Sequence, residues 1–241
     1  MTSANFNGVR LNMRIMPADG AAAGGDWCES FVISDDVIAL SIGDICGHGI
    51  EKVEAMTLTR QAIRDAANAG ADPAQILAAA NRFLRGYDPQ ENATALFALL
   101  NTREQTLSFA NAGHPPPLMA DPLGTRYLAF DESDLPLGIE AEIEPAVRTV
   151  IVPAGTLLVL YTDGVIESER RPLHGETELR EAVTFAYQFS ALSTATVIEE
   201  RLLMTESNRD DAAILTAWMP YAGMSKTTKR RLARQSIQQI S

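Results

Sequence analysis

The sequence predicts an α+β protein, in which the strands are grouped together and the helices are set apart from them. Apolar side chains at Ile38, Leu40 and Ile42 alternate with smaller residues, which is the two-residue period of a strand. In the next segment the apolar residues change to helical spacing, as at Val53 and Met56. Runs of strands followed by runs of helices favour this class over a parallel sheet that alternates with helices.

The first half of the chain contains three predicted strands and two predicted helices. The second helix has the clearest limits, because Asp72 can cap its first turn, Pro73 suits that turn and Gly86 can end it. In chain order, the predicted elements of this half are strands at 9–17, 31–33 and 37–42 and helices at about 49–70 and 72–85.

The second half is predicted to be a block of short strands followed by two helices and a last strand. Turn-forming residues such as those at 101–104 and 153–155 separate the strands. The predicted strands lie at 95–100, 106–110, 118–120, 125–129, 147–152, 156–160 and 212–218, and the predicted helices lie at 176–188 and 193–204.

Composition is that of a globular protein with an acidic surface. Of 241 residues, 46% are hydrophobic and 21% are charged, which suits one domain over residues 1–220. The net charge of −11 repels nucleic acid phosphates, so a nucleic acid partner is not expected. The segment 221–241 instead has five basic residues and no acidic one. It is interpreted either as a solvated basic tail or as a docking segment for an acidic partner.

The expected location is the cytoplasm. The two cysteines, Cys28 and Cys46, form neither a disulfide framework nor a CxxC metal motif, which fits a reducing compartment. The first residues lack the basic and apolar regions of a signal peptide. No apolar run approaches the roughly 18 residues of a membrane-spanning helix, so no membrane association is expected.

Four aspartates at strand boundaries are the candidate functional residues. Asp44, Asp163 and Asp211 lie in IGDICGHG, LYTDG and NRDDAA, and Asp26 lies in GGDW. Hard cations such as Mg²⁺ and Mn²⁺ prefer oxygen ligands, and several carboxylates that converge repel one another unless a cation lies between them. One Asp-Gly pair alone is more typical of a turn. The four motifs together predict a divalent metal site.

The motifs also resemble a known family. They are GGDW (24–27), GDICGHG (43–49), ATALFALL (93–100), NAGHPPPL (111–118), LPLGI (135–139), LYTDGVIE (160–167) and RDDAAIL (209–215). In these motifs the chain is similar to the metal-dependent protein phosphatases related to eukaryotic protein phosphatase 2C (PPM), in their bacterial SpoIIE-like branch. The resemblance extends from about Gly24 to Trp218. It departs from the family pattern at Cys28-Glu29, where Tyr-Asp is usual, and at Ala93, where Phe is usual.

The resemblance implies an α-β-β-α sandwich of two antiparallel sheets flanked by helices, with two Mn²⁺ or Mg²⁺ ions at one end. Carried over residue by residue, Asp44 would bridge the two ions and the carbonyl of Ile45 would help to bind one of them. Asp163 and Asp211 would complete the protein ligands of the other ion. Asp26 would lie nearby, as a further ligand or through a water molecule.

The function that the resemblance implies is hydrolysis of phosphoserine or phosphothreonine in a protein, by water that the metal ions activate. The usual substrates in this branch are small anti-sigma-factor antagonists, with a sensor domain or a regulatory protein as the control element. A thiol phosphatase is disfavoured, since the sixth residue after Cys28 is Ser34 and after Cys46 is Lys52, not Arg. The alternatives are a catalytically silent pseudophosphatase that binds phosphoproteins, and a metal-dependent hydrolase of small phosphoesters or nucleotides. A glycine-rich P-loop, which would favour nucleotides, is not found in the sequence.

Two histidines and one helical segment have open interpretations. His48 suits proton transfer and loop organisation equally well. For His114, a structural hydrogen bond is favoured over catalysis, because the three prolines after it fix a loop. The helices over 49–85 follow Asp44 directly, so they are predicted to be a regulatory element whose shift would displace that carboxylate.

Overall fold

The computed structural model describes residues 2–18, 24–47, 50–128, 134–167, 174–189, 193–202 and 210–219. Within these residues the chain forms two antiparallel sheets stacked face to face, with two helices packed on each outer face. The predicted α+β class and the α-β-β-α sandwich are therefore confirmed. The segment 221–241 lies outside the described residues.

Eleven strands and four helices make up the described part of the chain. The strands are β1 (Thr2–Phe6), β2 (Val9–Met16), β3 (Asp26–Val32), β4 (Val37–Ile45), β5 (Ala93–Asn101), β6 (Thr106–Ala112), β7 (Leu118–Asp121), β8 (Gly124–Tyr127), β9 (Arg148–Ile151), β10 (Leu157–Tyr161) and β11 (Ala212–Trp218). The helices are α1 (Ile50–Asn68), α2 (Pro73–Tyr87), α3 (Gly175–Gln188) and α4 (Thr194–Leu202), with a 3₁₀ turn at Asp163–Val165.

The first sheet has the strand order β1-β2-β11-β10-β7-β8, and the second has the order β3-β4-β5-β6-β9. A core of apolar side chains from both inner faces fills the space between them. Strand β4 is apolar on both faces because both faces are buried. Leu40 and Ile42 belong to this central core, whereas Ala39 and Ile45 pack outward against the helices.

The helices cover the outer faces of the sheets through apolar stripes. Ile63 of α1 and Leu77 of α2 are buried on the second sheet, and Val183 of α3 and Ile198 of α4 are buried on the first. Burying each such side chain contributes about 1.5–3 kcal/mol. Helix α2 begins as predicted, because the Asp72 side chain accepts a hydrogen bond from the Gln75 N–H at 2.9 Å.

The structure differs from the sequence prediction at the first strand and at β3. Strand β1 was not predicted, since its side chains are mostly exposed and show no apolar alternation. It pairs with β2 through a tight turn at Asn7 and Gly8, which both have positive φ. Strand β3 begins at Asp26 and not at Phe31, so Asp26 lies within the sheet instead of preceding it.

Among the described helices, none combines the length and the apolar character needed to cross a membrane.

Candidate metal centre

A row of polar residues crosses the second sheet at one end of the central core. Asp26 of β3 lies opposite Asp44 of β4, and Asp44 lies opposite Thr94 of β5. Residues directly opposite on antiparallel strands project to the same face of the sheet. Ile42, two residues before Asp44, belongs to the core between the sheets, so the whole row lies on the inner face. Strand register thus brings Asp26 and Asp44 together.

The ends of β10 and β11 in the first sheet face this row. The Thr162 hydroxyl, directly after β10, donates to Asp26 Oδ2 at 2.6 Å. The Thr162 hydroxyl oxygen itself accepts the Ala213 N–H of β11 at 2.7 Å. A fully buried threonine therefore joins both sheets and fixes one oxygen of Asp26. Asp163 follows Thr162, and Asp211 precedes β11, so all four predicted aspartates lie at this end of the sandwich.

The Gly24-Gly25 pair allows Asp211 to approach the main chain. The Asp211 carboxylate accepts the Ala18 N–H at 2.8 Å and the Gly25 N–H at 2.9 Å. A Cβ atom at Gly24 would lie 1.7 Å from Asp211 Oδ2, so no side chain fits there. Asp211 thus joins Ala18, which follows β2, to Gly25, which precedes β3. These hydrogen bonds orient the backbone that leads to Asp26.

Gly25 makes space for two oxygen atoms. A Cβ atom at Gly25 would lie 2.7 Å from the Ile45 carbonyl oxygen and 3.0 Å from Asp44 Oδ1. These two oxygens therefore face the same small volume. Carboxylate and carbonyl oxygens are the ligands that Mg²⁺ and Mn²⁺ prefer. The residues present fit a hard divalent cation.

Burial and mutual repulsion raise the pKa of the carboxyl groups in this centre. Burial is the largest cause for Asp26, and the charge of Asp44 raises its pKa further, while the Thr162 hydrogen bond opposes the shift. Burial also raises the pKa of Asp44, and the charges of Asp163 and Asp210 raise it further, although an interaction with Asp26 opposes the shift. Burial, followed by the charge of Asp210, raises the pKa of Asp163. A group of carboxylates in this state is stabilised by protons or by a cation.

The aspartates are neighbours but do not form a preformed cage. Within the described ranges, no three His, Cys, Asp or Glu side chains are arranged as a group that could hold a metal ion. Hydrogen bonds orient Asp26 toward Thr162, and Asp211 toward the backbone of Ala18 and Gly25. The four aspartates thus share one end of the sandwich. Joint binding of a metal ion by them would require rotation of their side chains and stays a prediction.

Asp210 and Glu167 are additional acidic residues of this centre that the sequence interpretation did not select. The charge of Asp210 raises the pKa of Asp44, of Asp163 and of Glu167. Asp210 is exposed, and its Oδ1 accepts the backbone N–H of Asp211 at 2.8 Å. The RDDAAIL motif contains both aspartates side by side, but the sequence alone does not show which of them points to the centre.

The loop after Asp44 is tied to both α1 and β5. The Cys46 N–H donates to the Asn92 carbonyl at 2.9 Å, and Lys52 Nζ contacts both Glu91 carboxylate oxygens at 2.8 Å. The start of α1 is thus linked to the residues just before β5, beside the candidate metal centre. His48 lies outside the described residues. Regulation through the helices over 49–85 stays a prediction.

His114 makes the structural hydrogen bonds that were favoured for it. Its backbone N–H donates to Asn111 Oδ1 at 2.7 Å, and the Asn111 side-chain amide donates to the His114 carbonyl at 2.7 Å. Its ring Nδ1 lies 2.9 Å from Thr94 Oγ1, so the NAGH turn is joined to the polar row of the second sheet.

Comparison with curated proteins identifies relatives that are named as phosphoserine phosphatases. Over 148 residues the chain is 27% identical to phosphoserine phosphatase RsbP of Bacillus subtilis (strain 168). This alignment covers 59% of this chain and 36% of RsbP. Over 144 residues it is 26% identical to phosphoserine phosphatase RsbU of the same organism. That alignment covers 59% of this chain and 43% of RsbU. The chain thus matches less than half the length of these two relatives.

Solved structures share the fold. The RsbU and RsbW domains of Rv1364c from Mycobacterium tuberculosis align with a TM-score of 0.77 at 25% identity, over 95% of this chain and 68% of that one. The catalytic domain of the serine threonine protein phosphatase PstP, in complex with 2 manganese ions, aligns with a TM-score of 0.61 at 17% identity, over 88% and 98% of the chains. The family model described as Stage II sporulation protein E (SpoIIE) matches residues 34–219. The match covers well over half of the sequence, and the chain therefore belongs to the SpoIIE family.

Proposed function

We propose that this chain is a metal-dependent protein serine/threonine phosphatase of bacterial signalling. The observation that carries the proposal is the meeting of Asp26 and Asp44 of the second sheet with Asp163 and the Asp210-Asp211 pair of the first, within a SpoIIE-family fold. The relatives RsbP and RsbU, which are named as phosphoserine phosphatases, support the same activity for this chain.

We further propose that Asp44, the Ile45 carbonyl and Asp163 hold Mn²⁺ or Mg²⁺, with two ions in all, and that the Asp210-Asp211 pair supplies a third carboxylate. Bound metal would supply Lewis acidity for the phosphoryl group and an activated water molecule. The two manganese ions named for PstP support this choice. A phosphate monoester would be repelled by so many carboxylates alone, and cations reverse the sign of that interaction.

The chain's own residues prepare this centre for phosphate. Thr162 donates a hydrogen bond to Asp26, and Asp26 lies directly opposite Asp44 in the sheet, so Asp26 is proposed as a residue that positions Asp44 and lies beside the metal. Gly25 leaves the oxygens of Asp44 and Ile45 uncovered. The Thr162 hydrogen bond thereby orients Asp26 before any ligand arrives, whereas the other aspartate side chains would have to rotate to complete the metal ligation.

A phosphatase assay tests the function directly. Purified protein is expected to release phosphate from a phosphoserine protein with Mn²⁺ or Mg²⁺, and to lose that turnover in EDTA and in Asp163→Asn. Asp35→Asn is the matched control, since Asp35 is exposed in the turn between β3 and β4, at the opposite end of these strands from Asp26 and Asp44. Turnover of Asp35→Asn is expected to equal that of the wild type.

The same assay separates the alternatives. Faster release from free nucleotides than from the phosphoprotein would favour a small-phosphoester hydrolase. Binding of Mn²⁺ and of the phosphoprotein by folded wild-type protein, with no release of phosphate, would favour the pseudophosphatase. Either result would overturn the proposed activity.

The contacts within the Asp210-Asp211 pair favour Asp210 as the third metal-binding carboxylate. Asp211 accepts two backbone N–H groups, whereas Asp210 is exposed and accepts one. Asp210→Asn is therefore expected to weaken Mn²⁺ binding at least about tenfold and to leave thermal stability nearly unchanged. Asp211→Asn is expected to destabilise the fold by about 1–3 kcal/mol, because it weakens the link between Ala18 and Gly25. Calorimetric Mn²⁺ titration and thermal unfolding of both variants check this, and the reverse pattern would assign the ligand to Asp211.

We propose that the substrate is a phosphorylated anti-sigma-factor antagonist and that a regulatory protein or sensor domain controls the activity. The pairing of RsbU and RsbW domains in the neighbour from Mycobacterium tuberculosis supports a place in such a signalling system. Phosphate release from a panel of such antagonists, compared with unrelated phosphoproteins, measures this preference.

A further inference from the structure

His114 is a buried histidine between the two sheets, beside the candidate metal centre. Its ring Nδ1 lies 2.9 Å from the Thr94 hydroxyl, and Thr94 lies directly opposite Asp44 in the second sheet. On the side of the first sheet, the Tyr161 backbone lies near enough to raise the pKa of the ring. Only 5% of the residue is exposed, so the imidazole is shielded from water.

The surroundings of His114 determine which ring nitrogen carries the proton. Burial lowers its pKa to about 3, so the ring is neutral at physiological pH and carries one N–H group. Within the described residues Nε2 has no hydrogen bond of normal geometry. The Tyr161 backbone raises the pKa of the ring, which is the effect of a carbonyl that faces a ring N–H, and Nδ1 already faces the Thr94 hydroxyl, so we assign the N–H to Nε2. Nδ1 is then the acceptor, and the Thr94 hydroxyl donates to it.

This hydrogen bond determines what Thr94 presents to Asp44. When its proton points to His114, the Thr94 oxygen offers only lone pairs to neighbouring groups, and these repel a carboxylate. Asp44 Oδ1 faces the space at Gly25 next to the Ile45 carbonyl, on the β3 side of β4, whereas Thr94 lies on β5 at the other side of β4. A free Thr94 hydroxyl would instead donate to Asp44, and a hydrogen bond to a charged acceptor is roughly twice as strong as a neutral one.

We propose that His114 is a positioning residue, which holds the Thr94 hydroxyl away from Asp44 and so leaves the Asp44 carboxylate available to a divalent cation. The inference rests on the proposed function, because it assigns Asp44 to the metal. It explains why a buried polar side chain is placed between Thr94 and the first sheet. His114 acts through Thr94 and has no direct contact with substrate.

The tautomer of His114 tests the inference without any metal or substrate. The chain has three histidines, and ¹⁵N labelling of histidine side chains with the His114→Asn variant assigns the relevant signals. The expected spectrum shows a neutral ring with the proton on Nε2 and an unprotonated Nδ1 across neutral pH. A proton on Nδ1, or a charged ring at neutral pH, would overturn the inference whether or not the protein is a phosphatase.

Metal affinity tests the consequence. His114→Leu is expected to weaken Mn²⁺ binding about tenfold, because the Thr94 hydroxyl is released toward Asp44. Addition of Thr94→Val to this variant removes the hydroxyl and is expected to restore the affinity. His114→Asn keeps an acceptor near the position of Nδ1, and its affinity is expected to stay close to that of the wild type. Calorimetric titration with Mn²⁺ gives the affinities, and thermal unfolding confirms that each variant is folded.

The outcomes are distinguishable from failure of the proposed function. Equal Mn²⁺ affinity in folded His114→Leu and wild type, or no recovery in the double variant, would overturn the positioning role while the metal centre stands. Wild-type protein that binds no Mn²⁺ would overturn the proposed metal centre itself, and the tautomer measurement would still decide the protonation of His114.

Discussion

Asp44→Asn is expected to reduce metal-dependent phosphatase turnover by roughly 10³-fold or more, and to stabilise the metal-free protein at the same time. Asparagine has nearly the shape of aspartate but has no charge. It therefore removes a proposed metal ligand, and it also removes the repulsion that Asp44 exerts on Asp26. Loss of activity with a gain in stability separates loss of the site from loss of the fold.

The pH dependence of stability gives the second part of this expectation. In the chelated wild type the pKa values of Asp26 and Asp44 are raised above the ordinary value of 3.8, mainly by burial. The folded state then binds more protons than the unfolded state. The free energy of unfolding is therefore highest at low pH and falls as the pH rises from about 4 through neutrality. Asp44→Asn is expected to have a shallower fall.

Thermal unfolding of both proteins in chelator, over a series of pH values, measures this difference. A wild-type stability that rises with pH through the same range would contradict the electrostatic account. So would a metal-free Asp44→Asn variant that is less stable than the wild type at neutral pH.

Gly43→Ala is expected to destabilise the fold by about 3 kcal/mol, which lowers the melting temperature by roughly 6–12 °C. A Cβ atom at this position would lie 2.2 Å from the Trp27 ring and 2.5 Å from the Thr94 carbonyl oxygen. Trp27 is fully buried and its indole N–H donates to Ser41 at 3.0 Å, so the ring cannot easily move. The methyl group would separate β4 from its neighbours beside Asp44.

Gly86→Ala is the matched control, because a Cβ atom there meets no other atom within 4 Å. It is expected to leave stability unchanged or slightly increased, since alanine reduces the entropy of the unfolded chain. Denaturant unfolding of the two variants provides the comparison, and similar midpoints for both would contradict the close packing described at Gly43.

The sequence was sufficient to predict the class of the fold and most of its elements. Local signals determined these, such as the alternation around Leu40 in β4 and the cap at Asp72. Strand β1 was not predicted because its side chains face solvent, where no apolar pattern is required. The Asn7-Gly8 turn was the available signal for it, since this pair favours a two-residue hairpin.

The geometry of the candidate site could be predicted only in part. The motifs selected Asp26, Asp44, Asp163 and Asp211, but the pairing of Asp26 with Asp44 depends on strand register, which is a long-range property. The bond from Thr162 to Asp26 joins residues 136 positions apart. The different surroundings of Asp210 and Asp211 likewise arise from backbone amides that fold next to only one of them.

The most direct test of the central claim is phosphate release from a phosphoserine protein during stepwise addition of Mn²⁺ to chelated enzyme. The account predicts no turnover in the metal-free protein, turnover that rises as the two proposed ions bind, and no recovery in Asp44→Asn at the same Mn²⁺ concentrations. Turnover that persists in the chelated wild type, or equal recovery in Asp44→Asn, would contradict a metal-dependent phosphatase built around Asp44.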